Sequence, residues 1–171
     1  MNFLELAKDR WSVRKFKSVQ ITQEELDQIL EAGKYAPTAV NFQPQKIYIL
    51  KSDLAMRKIN SVCKCVFGAP MAILIAVDEE RAWKNPFTGH LYGDVDIGIV
   101  ATHMMLMAWE LGIGTCPVGH FDSREVAKIF ELPKNEVPAL LLPIGYPAED
   151  ATPLQKLHGS FREKEDVVKV F

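Results

Sequence analysis

The longest apolar stretch of the chain runs from Asp94 to Phe121 and dominates its pattern of hydrophobic and polar positions. The first part of this stretch is apolar on nearly every side of a helix, which is typical of a buried central helix or of a membrane span. Asp96, His103 and Glu110 interrupt the run, and no segment of about 18 uncharged apolar residues exists. We therefore predict a central core helix and no membrane-spanning segment.

Two glycines predict where this central helix ends. Gly112 and Gly114 follow the last apolar turn, and a glycine commonly stands just past a helix end. The next segment, Gly114–Gly119 (GTCPVG), is short and built of small residues, so a ligand could approach its backbone closely. An ordinary strand after a central helix explains the same pattern, and the pattern alone leaves both interpretations open.

Shorter helices and strands are predicted around the central helix from periodicity and capping residues. The predicted helices run from Asn2 to Asp9, from Thr22 to Tyr35, from Ser52 to Cys63, and from Asp122 or Ser123 to Leu132. Apolar runs at residues 45–51, 71–77 and 137–145 predict strands. The second run is continuously apolar, as in a central strand. A proline in the third predicts either a bend or an edge position.

Composition and charge narrow the classes of function. A chain of 171 residues with 48% hydrophobic and 25% charged residues predicts a single globular domain over residues 1–171. The net charge of −2 gives no basic bias, so no nucleic-acid partner is expected. The first residues, MNFLELAKDR, carry charges and do not resemble a secretory signal.

The cysteines indicate a reducing compartment. Their number, three, is odd, which argues against a disulfide framework and favours a cytoplasmic location. Cys63 and Cys65 form a C-x-C pair without a second Cys/His pair, which is weak evidence for zinc. We therefore predict no metal site.

Residues 10–16 (RWSVRKF) carry the first candidate binding chemistry. If the segment is extended, alternation puts Arg10, Ser12 and Arg14 on one side and Trp11 and Val13 on the other. Two guanidinium forks flanking a hydroxyl are well suited to bind a phosphate. The alternative is a solvated basic segment.

The loop at residues 36–44 carries the second candidate. Between Pro37 and Pro44 it offers Thr38, Asn41 and Gln43, and amides that both donate and accept suit the edge of a heterocycle. An ordinary turn that satisfies its own backbone is the alternative.

Residues 79–94 are aromatic and irregular, which fits either a substrate-covering lid or a variable surface loop. The apolar tail at residues 151–171 is expected to dock, in an oligomer on the partner.

Four motifs, in this order, resemble the nitroreductase family of FMN enzymes. They are R-x-S-x-R-x-F at residues 10–16, APTAVNFQPQ at residues 36–45, D-x-G at residues 96–98 followed by the long helix and ELGIGTCPVGHF, and IGYP at residues 144–147. The resemblance covers nearly the whole chain. It implies an α+β fold with a small mixed or antiparallel sheet flanked by helices, and an intertwined homodimer with two FMN sites at its interface.

The same resemblance implies which residues bind FMN. The phosphate and ribityl end would be held by the first segment, the flavin of the other subunit would be reached by the loop, and the backbone of the turn would face the isoalloxazine. The implied residues are Arg10, Trp11, Ser12 and Arg14 in the segment, Pro37, Thr38, Asn41 and Gln43 in the loop, Pro117, Val118 and Gly119 in the turn, and Arg162, with Lys164 as a rival, near the C-terminus.

The resemblance also implies the activity. Electrons from NAD(P)H would pass through FMN to a small acceptor such as a nitroaromatic or a quinone, with ping-pong kinetics and without a side-chain nucleophile. His120, beside the turn, is the side chain nearest to a catalytic role. A non-catalytic flavin-binding module for storage or sensing, or an enzyme with other flavin chemistry such as ene reduction or dehalogenation, are the alternatives. Pro117 stands where many members carry tryptophan, which leaves the acceptor and the nicotinamide preference open.

Overall fold

The computed structural model describes residues 2–171, and within them the chain forms seven α-helices, two short 3-10 helices (Ala39–Asn41 and Lys64–Val66) and four strands. The helices are α1 (Phe3–Asp9), α2 (Gln23–Lys34), α3 (Asp53–Val62), α4 (Gly93–Glu110), α5 (Ser123–Phe130), α6 (Gln155–His158) and α7 (Lys164–Val167). The strands are β1 (Gln45–Leu50), β2 (Met71–Asp78), β3 (Gly114–Thr115) and β4 (Glu136–Gly145).

The helix starts confirm the capping signals of the sequence. Asn2 and Thr22 each form a complete capping box, in which the cap side chain and a glutamate three residues later bond each other's backbone amides. Ser52 accepts a hydrogen bond from the amide of Ala55, and Asp122 accepts one from Arg124. These four starts were predictable because each cap depends only on neighbours within one helical turn.

The strands form one antiparallel sheet in the order β1-β2-β4-β3, with helices on both faces. All eight residues of β2 are buried, which confirms its predicted central place. The edge position considered for the proline-containing strand is wrong, because β4 lies between β2 and β3. The bend is correct, since the β2–β4 register shifts between Ile75 and Ala76, opposite Pro138.

Two hydrophobic clusters cover the two faces of the sheet. On one face, Ile73 and Ile75 of β2 pack with Val100 and Met104 of α4 and with α2. On the other, residues from β2 and β4 pack with α3 and α5. The sheet therefore has a helical layer on each side, as predicted for an α+β fold.

Helix α4 is less buried than its sequence predicts. Ile97, Val100 and Met104 face the core with at most 2% of their surface exposed. On the opposite side, Gly98 and Thr102 are exposed, and Val95 keeps 47% of its surface exposed. A helix that is apolar all round is expected to be covered all round, and the single chain covers only one side.

The connection between β2 and α4 is compact although its sequence shows no period. Lys84 and Leu91 form an isolated bridge, and the rings of Trp83 and Tyr92 pack edge to face with centroids 5.0 Å apart. Phe87, at the tip, is 95% exposed. No helix within residues 2–171 is long and apolar enough to cross a membrane.

Asp78, a buried carboxylate at the end of β2, links stability to pH. Burial alone raises the pKa of its carboxyl, but hydrogen bonds from the Asn135 side chain and the Glu80 amide, together with the charge of Lys46, bring that pKa below its usual value. A carboxyl with a depressed folded-state pKa stabilises the fold above its unfolded-state pKa of about 4. This contribution is lost as the pH falls through the folded-state pKa.

We therefore expect Asp78→Asn to lower the unfolding free energy at pH 7 and to reduce the further loss of stability below about pH 4. Urea unfolding at pH 7 and pH 3 measures both effects. Glu31→Gln, which changes an exposed carboxylate on α2, is the control and should leave the pH difference of the wild type intact. An Asp78→Asn variant with the full wild-type pH difference would contradict this assignment.

Candidate functional site

The segment after α1 is held in place by β3. Val13 is fully buried, and its amide donates a hydrogen bond to the carbonyl of Thr115 at 2.9 Å. Ser12 and Thr115 form a parallel bridge beside it. Because alternate side chains of an extended segment point to opposite sides, Val13 pointing into the core leaves Arg10, Ser12 and Arg14 together on the other side.

Position 114 is occupied by glycine because Val13 packs against it, and not because the helix ends there. A Cβ atom on Gly114 would lie 2.5 Å from Cγ2 of Val13, closer than carbon atoms pack. Its φ is not in the left-handed region, whereas Gly112 has a φ of 75° and ends α4. Of the two glycines predicted to stop the helix, only Gly112 does so, and Gly114 lets the segment approach β3.

The polar side of the segment forms a compact group of hydrogen-bond donors. The guanidinium of Arg14 donates through Nη1 to the carbonyl of Ser12 at 3.1 Å and lies 5.8 Å from the centroid of the Phe67 ring. A cavity of about 60 Å³ adjoins the group, and its lining is Arg10, Trp11, Ser12, Arg14, Leu154, Leu157 and His158. We call Arg10, Ser12 and Arg14 the anion clamp, since these donors suit a phosphate.

Trp11 lines the cavity with the clamp residues, although the alternation predicted it on the side of Val13. Its ring packs edge to face on Trp109 near the end of α4, with centroids 5.9 Å apart. The indole Nε1 of Trp109 in turn donates to Asp9 at 2.9 Å. These contacts fix the start of the segment. Because Trp11 lies between Arg10 and Ser12, they also fix the position of these two clamp residues.

The basic residue that the C-terminal region brings to the clamp is His158. It lines the cavity at the end of α6, whereas Arg162 and Lys164 lie in the exposed tail. His158 was not predicted from the sequence, although its spacing from Leu154 and Leu157 puts these three residues on one helical face. The role implied for Arg162 or Lys164 stays a prediction.

The turn after β3 runs beside β4 and leaves one backbone donor available. Val118 exchanges two hydrogen bonds with Leu141, at 2.8 and 2.9 Å, so its amide and carbonyl are both used. Pro117 has no amide hydrogen. Within residues 2–171, the amide of Gly119 meets no acceptor, and Gly119 is exposed. Of the three turn residues predicted to face a ring, only Gly119 can donate to it.

His120 lies next to Gly119 and is held by two cysteines. Its Nδ1 is 4.0 Å from Sγ of Cys65, and its carbonyl accepts a hydrogen bond from the Cys63 thiol at 3.7 Å. Burial raises the pKa of the thiols of Cys63 and Cys116. Cys116 is only 3% exposed, which fits a small structural residue in a tight turn.

The loop at residues 36–44 is unusual in its backbone. Val40, Asn41 and Gln43 all have positive φ, between 51° and 56°, which non-glycine residues adopt rarely and at a cost. The amide of Gln43 donates to the Thr38 hydroxyl at 3.0 Å, and its side chain donates to Asn41 at 3.2 Å. The predicted polar side chains are thus together, but their hydrogen bonds stay within the loop.

Asp96 connects this loop to α4. The carboxylate is 1% exposed, and its Oδ1 accepts a hydrogen bond from the amide of Ala39 at 2.8 Å. In the sequence Asp96 was only a motif position, because the contact spans 57 residues of chain. Asp96 fixes the loop at the first turn of α4.

The clamp and the loop consequently lie at opposite ends of α4. The loop is bonded to Asp96 in the first turn, and the clamp segment is bonded to Thr115, just past the last turn. At a rise of 1.5 Å per residue, the helix between these points spans roughly 20–25 Å. Within one chain, the two predicted parts of the site are therefore not brought together.

Comparison with known proteins gives consistent matches. A model of the nitroreductase family matches residues 7–67 and 61–146. An NAD(P)H-dependent FMN reductase of Bacillus subtilis is 30% identical over 159 residues, which are 82% of this chain and 64% of that protein. A nitroreductase family protein from Clostridium difficile has a solved structure with a TM-score of 0.91 and 33% identity, covering 98% of both chains.

A further structural match supports the fold. A protein from Exiguobacterium sibiricum, solved in complex with FMN, gives a TM-score of 0.83 at 22% identity. The match covers 100% of this chain and 98% of that one. At this identity the similarity establishes the shared fold.

Proposed function

The chain belongs to the nitroreductase family, and on that basis we propose that it is an FMN-dependent oxidoreductase. It transfers electrons from NAD(P)H to a small organic acceptor such as a nitroaromatic or a quinone. The observation that carries the proposal is the anion clamp beside a turn whose Gly119 amide is available, since the clamp segment is bonded to β3 and the turn that follows β3 is bonded to β4. The FMN reductase relative and the FMN-bound structural match support the choice of FMN.

The residues present fit FMN. Arg10, Ser12 and Arg14 supply charged and neutral donors for its phosphate, and His158 is the added basic residue beside them. The amide of Gly119 would donate to the edge of the isoalloxazine. Buried Val13 fixes the clamp segment, and the hydrogen-bonded Val118–Leu141 pair fixes the turn that carries Gly119. The donors are therefore held in position before the cofactor binds.

When bound, FMN supplies the hydride and electron transfer, while the protein binds, orients and tunes it. The chain's own part is to hold the phosphate at the clamp and to present a backbone donor at Gly119. No side-chain nucleophile is needed. His120 adjoins Gly119 with an exposed ring, so it is the side chain best placed to meet an acceptor.

We propose that each FMN site is completed by a second copy of the chain. The loop residues Pro37, Thr38, Asn41 and Gln43 are too far from the clamp of the same chain, at the other end of α4, to share its cofactor. A homodimer in which the loop of one subunit reaches the clamp region of the other resolves this separation. The exposed side of α4 and the apolar tail would be covered in such a dimer.

Replacement of Gly98 by leucine tests the dimer. A Cβ atom at Gly98 meets no atom within 4 Å in the single chain, so the variant should fold with unchanged helical circular dichroism. If α4 packs closely against a partner, the bulky side chain should shift the protein to monomers and lower its FMN content. Light scattering over a range of concentrations measures the mass. A variant that stays dimeric and keeps its FMN would argue against α4 as the interface.

The proposed function itself is tested by the absorbance of the purified protein, by FMN titration, and by anaerobic reduction with NADH and NADPH. We expect flavin bands, reduction by at least one nicotinamide, and steady consumption with a nitroarene or quinone. A storage or sensing module would bind FMN but would not consume NAD(P)H. A protein that binds no FMN would overturn the proposal.

A further inference from the structure

The loop at residues 36–44 has a strained backbone, and burial of its own side chains does not offset the strain. Val40, Asn41 and Gln43 have φ between 51° and 56°, and for the β-branched Val40 this left-handed conformation is an outlier. The Val40 side chain is nevertheless 67% exposed, so it gains little from burial in the single chain. The conformation of the loop must therefore be imposed by contacts with the rest of the protein.

Asp96 makes the shortest of the side-chain contacts that fix the loop from outside. Its Oδ1 accepts a hydrogen bond at 2.8 Å from the amide of Ala39, which directly precedes the strained Val40. In the described part of the chain, one further side chain from outside bonds to the loop backbone: Arg81 donates through Nε and Nη2 to the Phe42 carbonyl, at 3.4 Å each. Arg81 is exposed, whereas Asp96 is buried. Asp96 is therefore the buried anchor of the loop.

The same carboxylate is costly to the folded chain. Its Oδ2 is buried, and no donor in residues 2–171 forms a hydrogen bond with it. The hydration that a buried carboxylate loses is returned only in part when one of its oxygens is left unbonded. The positive end of the α4 dipole compensates for some of this loss. Backbone strain and incompletely bonded polar groups of this kind are typical of functional sites.

We propose that Asp96 is a positioning residue of the FMN site. By bonding the Ala39 amide, it holds the loop in the conformation that FMN binding requires, so that the polar side chains of the loop meet the cofactor bound by a second copy of the chain. Asp96 itself is buried and does not contact FMN. This inference rests on the proposed function, in which the loop reaches the clamp region of the partner. It adds a side chain that favours cofactor binding and does not stabilise the fold.

The test compares two variants of Asp96 in FMN affinity and in stability. Asp96→Ala removes the acceptor, so the loop relaxes toward negative φ and FMN has to restore the binding conformation, which should raise the Kd for FMN roughly 5- to 30-fold. Asp96→Asn keeps an oxygen for the Ala39 amide and should bind FMN within about 3-fold of wild type. The urea midpoint of FMN-free Asp96→Ala should stay at or above that of wild type, because backbone strain and a buried charge are both removed.

Val40→Gly separates positioning of the loop from an ordinary packing role. Glycine adopts a positive φ without steric cost, so in the Asp96→Ala background this change should lower the FMN Kd again by about 2- to 5-fold. In the wild-type background it should alter FMN affinity little, since Asp96 already holds the loop. The two changes should therefore be non-additive in a double-mutant cycle. A carboxylate with a merely structural role would give additive losses.

Asp94→Ala is the matched control, because it removes an exposed carboxylate from the same first turn of α4. It should leave the FMN Kd and the urea midpoint close to those of wild type. Light scattering should give the wild-type mass for the Asp96 variants, since Asp96 lies away from the exposed side of α4. Hydrogen exchange should show that the Ala39 amide loses protection in Asp96→Ala but not in Asp96→Asn.

The inference is wrong if Asp96→Ala binds FMN as tightly as wild type, or if Asp96→Asn is impaired equally, since the acceptor would then not matter. It is also wrong if Asp96→Ala loses stability together with affinity and Val40→Gly recovers neither, which would make Asp96 an ordinary structural residue. In these cases wild type still binds FMN and consumes NAD(P)H. A wild-type protein that binds FMN without oxidising NAD(P)H contradicts the proposed function alone, and one that binds no FMN contradicts both.

Discussion

Arg14→Ala is expected to weaken FMN binding by about 1.5–3 kcal/mol, which is roughly a 10- to 150-fold rise in Kd. The guanidinium offers forked donors that match phosphate oxygens, and neutral alanine offers none. Its hydrogen bond to the Ser12 carbonyl orients the fork before the cofactor arrives, so little ordering remains to be done on binding. Fluorescence titration of the FMN-free protein with FMN measures the change.

Two further variants separate the effect of the paired guanidinium donors on FMN affinity from the effect of the positive charge. Arg14→Lys keeps the charge but loses the paired donors, so its FMN affinity should fall between those of wild type and alanine. Lys15→Ala removes the neighbouring cation, which is exposed and pairs with Asp150, and it should leave FMN affinity unchanged. Equal FMN affinity in Arg14→Ala and wild type would mean that the phosphate binds elsewhere.

Gly114→Ala is expected to lower the unfolding free energy by about 1–3 kcal/mol, as overpacking does. The added Cβ would come within 2.5 Å of Val13, a fully buried side chain that cannot move into solvent. Relief requires the segment to shift away from β3, and the clamp moves with it. FMN affinity should therefore fall together with the chemical-denaturation midpoint.

The double variant Val13→Ala/Gly114→Ala separates this contact from other effects of the methyl group. If the clash with Val13 is the cause, the double variant should be more stable than the sum of the two single losses indicates. Strictly additive losses would show that Gly114 is needed for another reason. Urea unfolding of the three variants and the wild type gives the four stabilities of this double-mutant cycle.

The features that the sequence predicted well depend on short-range physics. The caps at Asn2 and Thr22, the stop at Gly112 and the burial of β2 follow from neighbours within a turn or from a local apolar run. The alternation along residues 10–16 likewise predicted which side carries Arg10, Ser12 and Arg14. The nitroreductase resemblance rested on these same local motifs, and the family match confirms it.

The features that the sequence missed depend on contacts between distant parts of the chain. Pro138 was ambiguous between bend and edge until the β2–β4 register placed a bulge next to it in the same strand. His158 and the Asp96–Ala39 hydrogen bond were missed because each partner lies far away in the chain. Gly114 was predicted to be a helix stop, since only the packing of Val13 reveals why a side chain is excluded there.

The central stretch from Asp94 to Phe121 contains features that the local sequence determines and others that only the tertiary structure decides. By itself, the sequence determined a long apolar helix ended by glycine, because helix formation and its termination depend on local backbone preferences. Only the tertiary structure decided that one side of that helix stays uncovered in a single chain, and that the turn beyond it keeps one amide donor, at Gly119. Which side of α4 is covered depends on α2 and the sheet, and which amide stays available depends on β4. No local pattern contains the positions of these elements.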